Sequence, residues 1–335
     1  MNMMQIPTSS RATPASITRA SAAFTLDDFS SNDEAMCACL DRARIAARTD
    51  LPVLLLGESG TGKTLLAHAL HSASERRRAP FVSFNAAALS ETLLDSQLFG
   101  HEAGAFTGAT RRVKGKFELA HKGTLFIDEI ADMTPAAQAK ILRAVEYGEF
   151  ERLGSESLEV ADVRLVSATH LPIARYIESE QFRKDLFYRI SGFTISIPPL
   201  RQRPNDLRAL LASEIAAAAA AQGKAIVGLS KAAAGMLLSH TWPGNLRELK
   251  RVVHTAVAIT DGTVVQPEAV LLDAPLEQEV APSAGADQTL RGVELRHIHH
   301  VLAQHQGNKR QAALVLGVSR TTLDRKLEIE SAVIP

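Results

Sequence analysis

Residues Val53 to His71 read VLLLGESGTGKTLLAHALH. Four apolar residues predict a short buried strand, and the run from Lys63 onward has the spacing of an amphipathic helix. Between them lies G-x-x-x-x-G-K-[ST], in the strand–loop–helix context that gives this motif its meaning. Glycines let main-chain N–H groups close around phosphate oxygens, and the helix N-terminus adds a favourable field. Gly57, Glu58, Ser59, Gly60, Thr61, Gly62, Lys63 and Thr64 are therefore expected to bind a nucleotide such as ATP, with Lys63 on the β and γ phosphates and Thr64 on Mg²⁺. The competing reading, a glycine turn with a chance lysine, does not account for both flanks.

Further short apolar runs follow at Phe81–Asn85, Thr124–Glu129, Val163–Thr169 and Phe193–Ile197, separated by longer helical or loop stretches. Strands of this kind alternating with helices predict an α/β fold, a parallel sheet covered on both faces. One of these strands ends in Asp128-Glu129. With a phosphate loop in the same chain, Asp128 is expected to hold Mg²⁺ and Glu129 to polarise an attacking water. Without that loop the pair would read as a solvated strand end.

The chain has 335 residues, 46% hydrophobic and 22% charged, with Lys+Arg and Asp+Glu both at 37. Global charge therefore argues for neither nucleic acid nor membrane, and no apolar run approaches the roughly 18 residues needed to span a bilayer. Cys37 and Cys39 lie too close for a mutual disulfide, which fits a cytoplasmic protein. Residues 1–23, basic and serine-rich, read as a disordered tail in preference to a presequence. The expected α/β subdomain spans 24–197, and an alanine- and leucine-rich helical subdomain spans 198–273. A linker covers 274–288, and a small all-α domain covers 289–330.

GHEAGAFTGATRR, Gly100 to Arg112, places Phe106 among small residues and glycines. Such a loop is either a buried turn or a hydrophobic tip held out for a partner. Arg183 and Arg189 in FRKDLFYRI suit either surface salt bridges or the stabilisation of phosphoryl charge from a neighbouring subunit. Arg247 in WPGNLREL opens a helix from which it can lean onto a nucleotide.

Near the C-terminus, GNKRQAALVLGVSRTTLDRKLEI reads helix, turn, helix, with Gly317 at the turn and Ser319 as N-cap. With Leu323 and Leu327 inward, Thr321 and Arg325 point outward beside Thr322, toward a major groove. Between Thr289 and Leu327, seven basic residues face two acids, although the chain is neutral overall. Arg320, Thr321, Thr322, Arg325 and Lys326 are the expected DNA contacts, against the alternative of a helical cap. His297, His299, His300 and His305 lack the partners that would complete a metal site.

GESGTGKT, FNAAALSETLLDSQLFGHEAGAFTGA, GTLFIDEIADM, FERLG, VRLVSATH, FRKDLFYRI and WPGNLRELK occur in this order. From Phe24 to Leu272 the chain resembles the AAA+ core of sigma-54-dependent transcription activators, the bacterial enhancer-binding proteins. Its C-terminal segment resembles their Fis-type helix-turn-helix domain. The resemblance implies an AAA+ P-loop ATPase with a helical lid, working as a ring oligomer, usually a hexamer. Gly104, Phe106 and Thr107 would engage the sigma-54 RNA polymerase holoenzyme, and the C-terminal domain would dimerise and bind double-stranded upstream DNA.

The resemblance also assigns Asn85 as the link from Glu129 to the loop, Thr169 as first sensor, Arg183 and Arg189 as trans-acting arginines, and Arg247 as second sensor. His170 stands where asparagine is common, Thr64 where glutamate is frequent, and Asp324 where tyrosine is frequent. Few residues precede the core, so control is expected from a regulator or co-activator in trans. A DNA-binding repressor on an AAA+ scaffold would be expected to lack GAFTGA. A protein remodeller would leave the basic helix pair without a task.

Overall fold

The computed structural model describes residues 4–5, 25–87, 90–272 and 308–331, with the helical residues Glu294, His297, Ile298, Val301 and Leu302. The chain divides into two compact units, Met1–Leu272 and Asp273–Pro335.

The first unit is built on five strands: β1 Val53–Leu56, β2 Phe81–Asn85, β3 Thr124–Asp128, β4 Arg164–Thr169 and β5 Phe193–Ser196. They lie in the order β5-β1-β4-β3-β2, all parallel. The strand expected at Thr124–Glu129 stops at Asp128, because Glu129 takes a left-handed backbone at φ 54. Period-two alternation then sorts the side chains. Val53, Leu55, Phe126, Val166 and Ile195 pack with helices α1 (Glu34–Ala47) and α2 (Lys63–Ser72). Leu54, Leu125, Ile127 and Leu165 pack on the opposite face. There they meet α3 (Glu91–Phe99), α4 (Pro135–Tyr147) and α5 (Lys184–Ile190). Both faces are apolar, so the strands read as near-continuous hydrophobic runs.

Helices α6 (Pro204–Gln222), α7 (Lys231–Ser239) and α8 (Asn245–Ile259) enclose a separate core around Trp242, which is fully buried and donates Nε1–H to the Leu237 carbonyl at 3.1 Å. The six-alanine run belongs to α6; alanine is the strongest helix former, and Gly223 at φ 63 ends the helix. A reciprocal carboxylate exchange ties the start of α6 to the segment before α1. Asp33 accepts from the Asp206 N–H at 2.9 Å, while Asp206 accepts from the Ser31 hydroxyl at 2.7 Å and the Asn32 N–H at 2.8 Å.

Within the stretch expected as a tail, Met4–Gln5 pairs antiparallel with Gly228–Leu229. The rest of 1–23 lies outside the described residues, as do the expected linker 274–288 and His299, His300 and His305.

In the second unit, α9 (Lys309–Val315) and α10 (Arg320–Ser331) follow the expected helix-turn-helix pattern. Asn308 caps α9, Gly317 turns at φ 66, and the Ser319 hydroxyl accepts from the Thr322 N–H at 3.1 Å. Ala312, Ala313 and Leu323 form a small core with Ile298 and Val301. The Leu327 side chain lies outside the described residues.

Candidate active site

The phosphate loop occupies the C-terminal edge of the sheet, where β1 feeds α2. The Gly57 N–H donates to the Thr169 carbonyl of β4 at 3.3 Å, and the Thr61 hydroxyl donates to the Glu58 carbonyl at 2.8 Å. Gly60 and Gly62 have φ of 78 and 100, which only glycine adopts without strain. A Cβ on Gly60 would also lie 2.3 Å from the Gly244 carbonyl oxygen, so loop and lid backbones are in direct contact.

A cavity of about 280 Å³ lies beside the loop. Ser59, Gly60, Gly62, Lys63 and Thr64 line one wall, Asp128 and Glu129 another, and Leu246, Arg247 and Lys250 the lid side. Lys63 is buried and donates to the carbonyls of Gly57 at 2.9 Å and Glu58 at 3.3 Å. Its Nζ is 3.9 Å from Glu129 Oε1. Burial pushes its pKa down, opposed by the charges of Glu129 and Asp128. Burial pushes the Asp128 pKa up, and the Glu129 charge adds to the rise.

Glu129 is held from β4. Its Oε2 accepts from the main-chain N–H of His170 at 3.1 Å and the ring Nδ1 at 2.7 Å. Asn85, expected to link Glu129 to the loop, instead accepts the Ala87 N–H on its own Oδ1 at 2.8 Å. The side chain holding Glu129 is therefore the residue that departs from the family pattern. Thr169 is fully buried, and its hydroxyl accepts the Leu171 N–H at 3.1 Å.

The lid is latched to the loop by residues far apart in sequence. Glu58 accepts both arms of the Arg201 guanidinium at 2.7 and 2.6 Å, with Asn245 Nδ2 at 3.2 Å. Fully buried Asn245 also donates to the Ser59 carbonyl at 3.1 Å and accepts the Leu200 N–H at 2.7 Å. The Leu246 N–H donates to the Gly60 carbonyl at 3.0 Å, and Arg247 donates to the Ser59 hydroxyl at 2.8 Å. Glu58 thus turns its carboxylate to the lid, although it was expected among the nucleotide-binding residues. Arg201, Asn245 and Lys250 were not expected at the site. Their only sequence signals are the Arg after Pro198-Pro199, the Asn opening α8, and the three-residue spacing from Arg247 to Lys250.

Arg183 and Arg189 are not brought into this cavity. Arg183 pairs with Asp185 at 2.7 Å, and Arg189 donates to the Glu146 carbonyl at 3.1 Å; both are exposed.

The Gly104–Ala109 stretch is a tight hairpin. The Gly104 N–H donates to the Ala109 carbonyl at 2.7 Å, with Gly104 at φ 86 and Gly108 at φ 100. It stands on a two-stranded base, where Gly100–His101 pairs with Val113–Lys114. Thr107 is exposed. Phe106 is half-buried, its ring edge against His101 at a centroid distance of 5.0 Å, and so is less bare than the sequence suggested.

In the second unit, Thr321 and Arg325 are exposed on α10, and Arg320 is 3.8 Å from Asp324. Lys309 pairs with Asp324 at 2.8 Å, and Lys326 pairs with Glu294. The Thr322 hydroxyl is bonded to Ser319 at 2.7 Å.

Residues 29–196 match the sigma-54 interaction domain, 201–286 an AAA+ ATPase lid domain, and 289–328 the Fis family of bacterial regulatory proteins. The chain belongs to the sigma-54-dependent transcriptional activators. Its first unit is the activator family's AAA+ ATPase core with the lid, and its second carries the Fis-type DNA-binding helices. The transcriptional regulatory protein ZraR of Klebsiella oxytoca is 43% identical over 299 residues, 88% of this chain and 67% of that protein. The regulatory protein AtoC of Escherichia coli is 39% identical over 298 residues, 87% of this chain and 64% of that protein. The chain thus spans about two thirds of the length of these curated relatives. Among solved structures, NtrX of Brucella abortus in complex with ATP aligns with TM-score 0.67 and 30% identity, over 90% of this chain and 68% of that one. No helix of this activator is long and apolar enough, among the described residues, to cross a membrane.

Proposed function

We propose that this activator binds upstream DNA and uses ATP hydrolysis to remodel sigma-54 RNA polymerase from closed to open promoter complexes. One observation carries the reading: a GAFTGA hairpin, closed by its own backbone bond, stands on the same compact unit as a phosphate-loop cavity. A hairpin with a single aromatic side chain near its tip gives modest, reversible affinity, which suits a moving contact. Gly104, Phe106 and Thr107 make that contact.

The cavity fits Mg²⁺-ATP on its donor chemistry. Glycine backbones in left-handed conformations present N–H groups, cations line two walls, and the Thr64 hydroxyl and Asp128 carboxylate are hard oxygen donors. When bound, Mg²⁺ neutralises phosphate charge. Gly57 to Thr64 cradle the phosphates, and Lys63 leaves its carbonyl partners for the β and γ oxygens. Glu129 orients a water and takes its proton. Thr169 and His170 report the γ phosphate to β4, Asn85 gives up the Ala87 N–H to relay the state of Glu129 toward the hairpin, and Arg247 senses the nucleotide from the lid.

Arg183 and Arg189, exposed and remote from their own cavity, stabilise transferring charge in a neighbouring subunit, which makes the working form a ring of the hexameric kind. Arg320, Thr321, Thr322, Arg325 and Lys326 face DNA, and the C-terminal unit dimerises. The activator works in the cytoplasm. The domain limits proposed are 24–197, 198–273 and 289–330.

The test is formation of heparin-resistant open complexes from purified protein, sigma-54 RNA polymerase and a sigma-54 promoter. ATP-dependent complexes lost with Lys63→Ala are expected; a folded ATPase that yields none would overturn the reading.

A further inference from the structure

Arg247 and Lys250 are three residues apart on α8 and so share one helix face. Both line the cavity beside Lys63 and Thr64. The start of α8 is fixed to the phosphate loop by Asn245, Leu246 and Arg247, so the next turn, which carries Lys250, is fixed with it. Arg247 is engaged with Ser59 at 2.8 Å. Lys250 is half-buried, yet among the described residues it makes no hydrogen bond or ion pair. An ammonium drawn partly out of water without a counter-charge is unfavourable unless an anion arrives.

The formal charges of the cavity point the same way. Lys63, Arg247 and Lys250 stand against Asp128 and Glu129, leaving one positive charge over. Two cations suffice to balance the two carboxylates, so Lys250 is the surplus. A lysine is a compact, rotatable donor suited to a phosphate oxygen.

We infer that Lys250 is a second lid cation for the polyphosphate of a nucleoside triphosphate, favouring triphosphate over diphosphate. The inference rests on the nucleotide reading of the cavity and adds to it a residue on the lid side of that cavity. Because attraction grows with ligand charge, its contribution is larger for the triphosphate and weakens as salt screens the partly exposed ammonium.

The test uses the full chain with Lys250→Met, which keeps the apolar stem, and Lys250→Arg, which keeps the charge. Binding of fluorescent N-methylanthraniloyl ATP and ADP is titrated with Mg²⁺ at low and high salt. A charge-assisted contact predicts that Lys250→Met weakens triphosphate binding by about tenfold and diphosphate binding by about threefold. Lys250→Arg should restore most of the affinity, and high salt should shrink the difference. In steady-state hydrolysis KM rises while kcat stays near the parent value. If Lys250→Met binds both nucleotides as the parent does, the inference is overturned while the cavity reading stands. If the parent chain itself binds neither nucleotide, the cavity reading fails, and the Lys250 role with it. Should Lys250→Met lower the unfolding temperature without nucleotide, Lys250→Gln is titrated under the same criteria.

Discussion

Glu129 Oε2 accepts two hydrogen bonds from one residue, the main-chain N–H and ring Nδ1 of His170, at 3.1 and 2.7 Å. A carboxylate oxygen already holding two donors must give one up before it can accept a hydrogen bond from an attacking water at that position. Lys63 stands 3.9 Å from the other oxygen. His170→Ala, which removes only the ring donor, should therefore raise kcat several-fold with nucleotide affinity unchanged. Glu129→Gln should lower kcat by about a hundredfold or more while nucleotide still binds. Single-turnover hydrolysis with parallel binding titrations separates the two, and a fall in kcat for His170→Ala would show that the ring aligns Glu129 for attack.

Phe106→Ala removes a half-buried ring that packs on His101 and does not line the cavity. ATP hydrolysis should stay within about twofold of the parent, and heparin-resistant open complexes should disappear, because the substitution acts on the proposed sigma-54 contact and not on transition-state stabilisation. Simultaneous loss of hydrolysis and of cooperative unfolding would instead mark Phe106 as a packing residue.

The Glu58–Arg201 latch sets a pH dependence. Hydrogen bonding from the Arg201 guanidinium holds the Glu58 carboxyl below the usual carboxylate range; burial opposes this, and Asn245 adds to it. A carboxyl depressed in the folded state contributes stability above its unfolded pKa, near 4.5, and that contribution is lost as pH falls toward the folded value. The pair is roughly half exposed, so the contribution is at most about 1 kcal/mol. Thermal unfolding of Glu58→Gln should thus be less stable than the parent at pH 7, with the gap closing below pH ~4.5. A gap that persists at acid pH would place the contribution elsewhere than in the charge.

On α10, exposed Arg325 has no ion-pair partner among the described residues, whereas Lys326 is paired with Glu294 and Asp324 with Lys309. Arg325→Ala should weaken specific duplex binding by about 1–3 kcal/mol and Lys326→Ala by less. Fluorescence anisotropy on an upstream site over a salt series measures both. A reduced salt slope with retained sequence preference would assign Arg325 to phosphate instead of to a base edge.

Much of the fold was legible because its signals are local. β1 to β5 are short apolar runs with helices between them, and the glycines of the phosphate loop sit at fixed offsets from Lys63. The latch was not legible. Glu58, Arg201 and Asn245 are brought together only by folding, and each alone reads as an ordinary polar residue. His170 was visible as a departure, but its bond to Glu129 depends on β3 and β4 being neighbours, and on the left-handed backbone at Glu129 that turns its side chain aside. Phe106 misled in the other direction. Its neighbours in sequence are small, yet a histidine five positions earlier covers one edge. Lys326 likewise looked free for DNA until Glu294 met it across the unit.

The bond from the Leu246 N–H to the Gly60 carbonyl roots a 15-residue helix in the phosphate loop. At about 1.5 Å rise per residue that helix is about 22 Å long, so a tilt of about 10° at its root sweeps its far end through about 4 Å. Helix α8 is therefore a lever with its fulcrum at the phosphate loop, and any tilt imposed there is amplified along the helix to Ile259 at its far end.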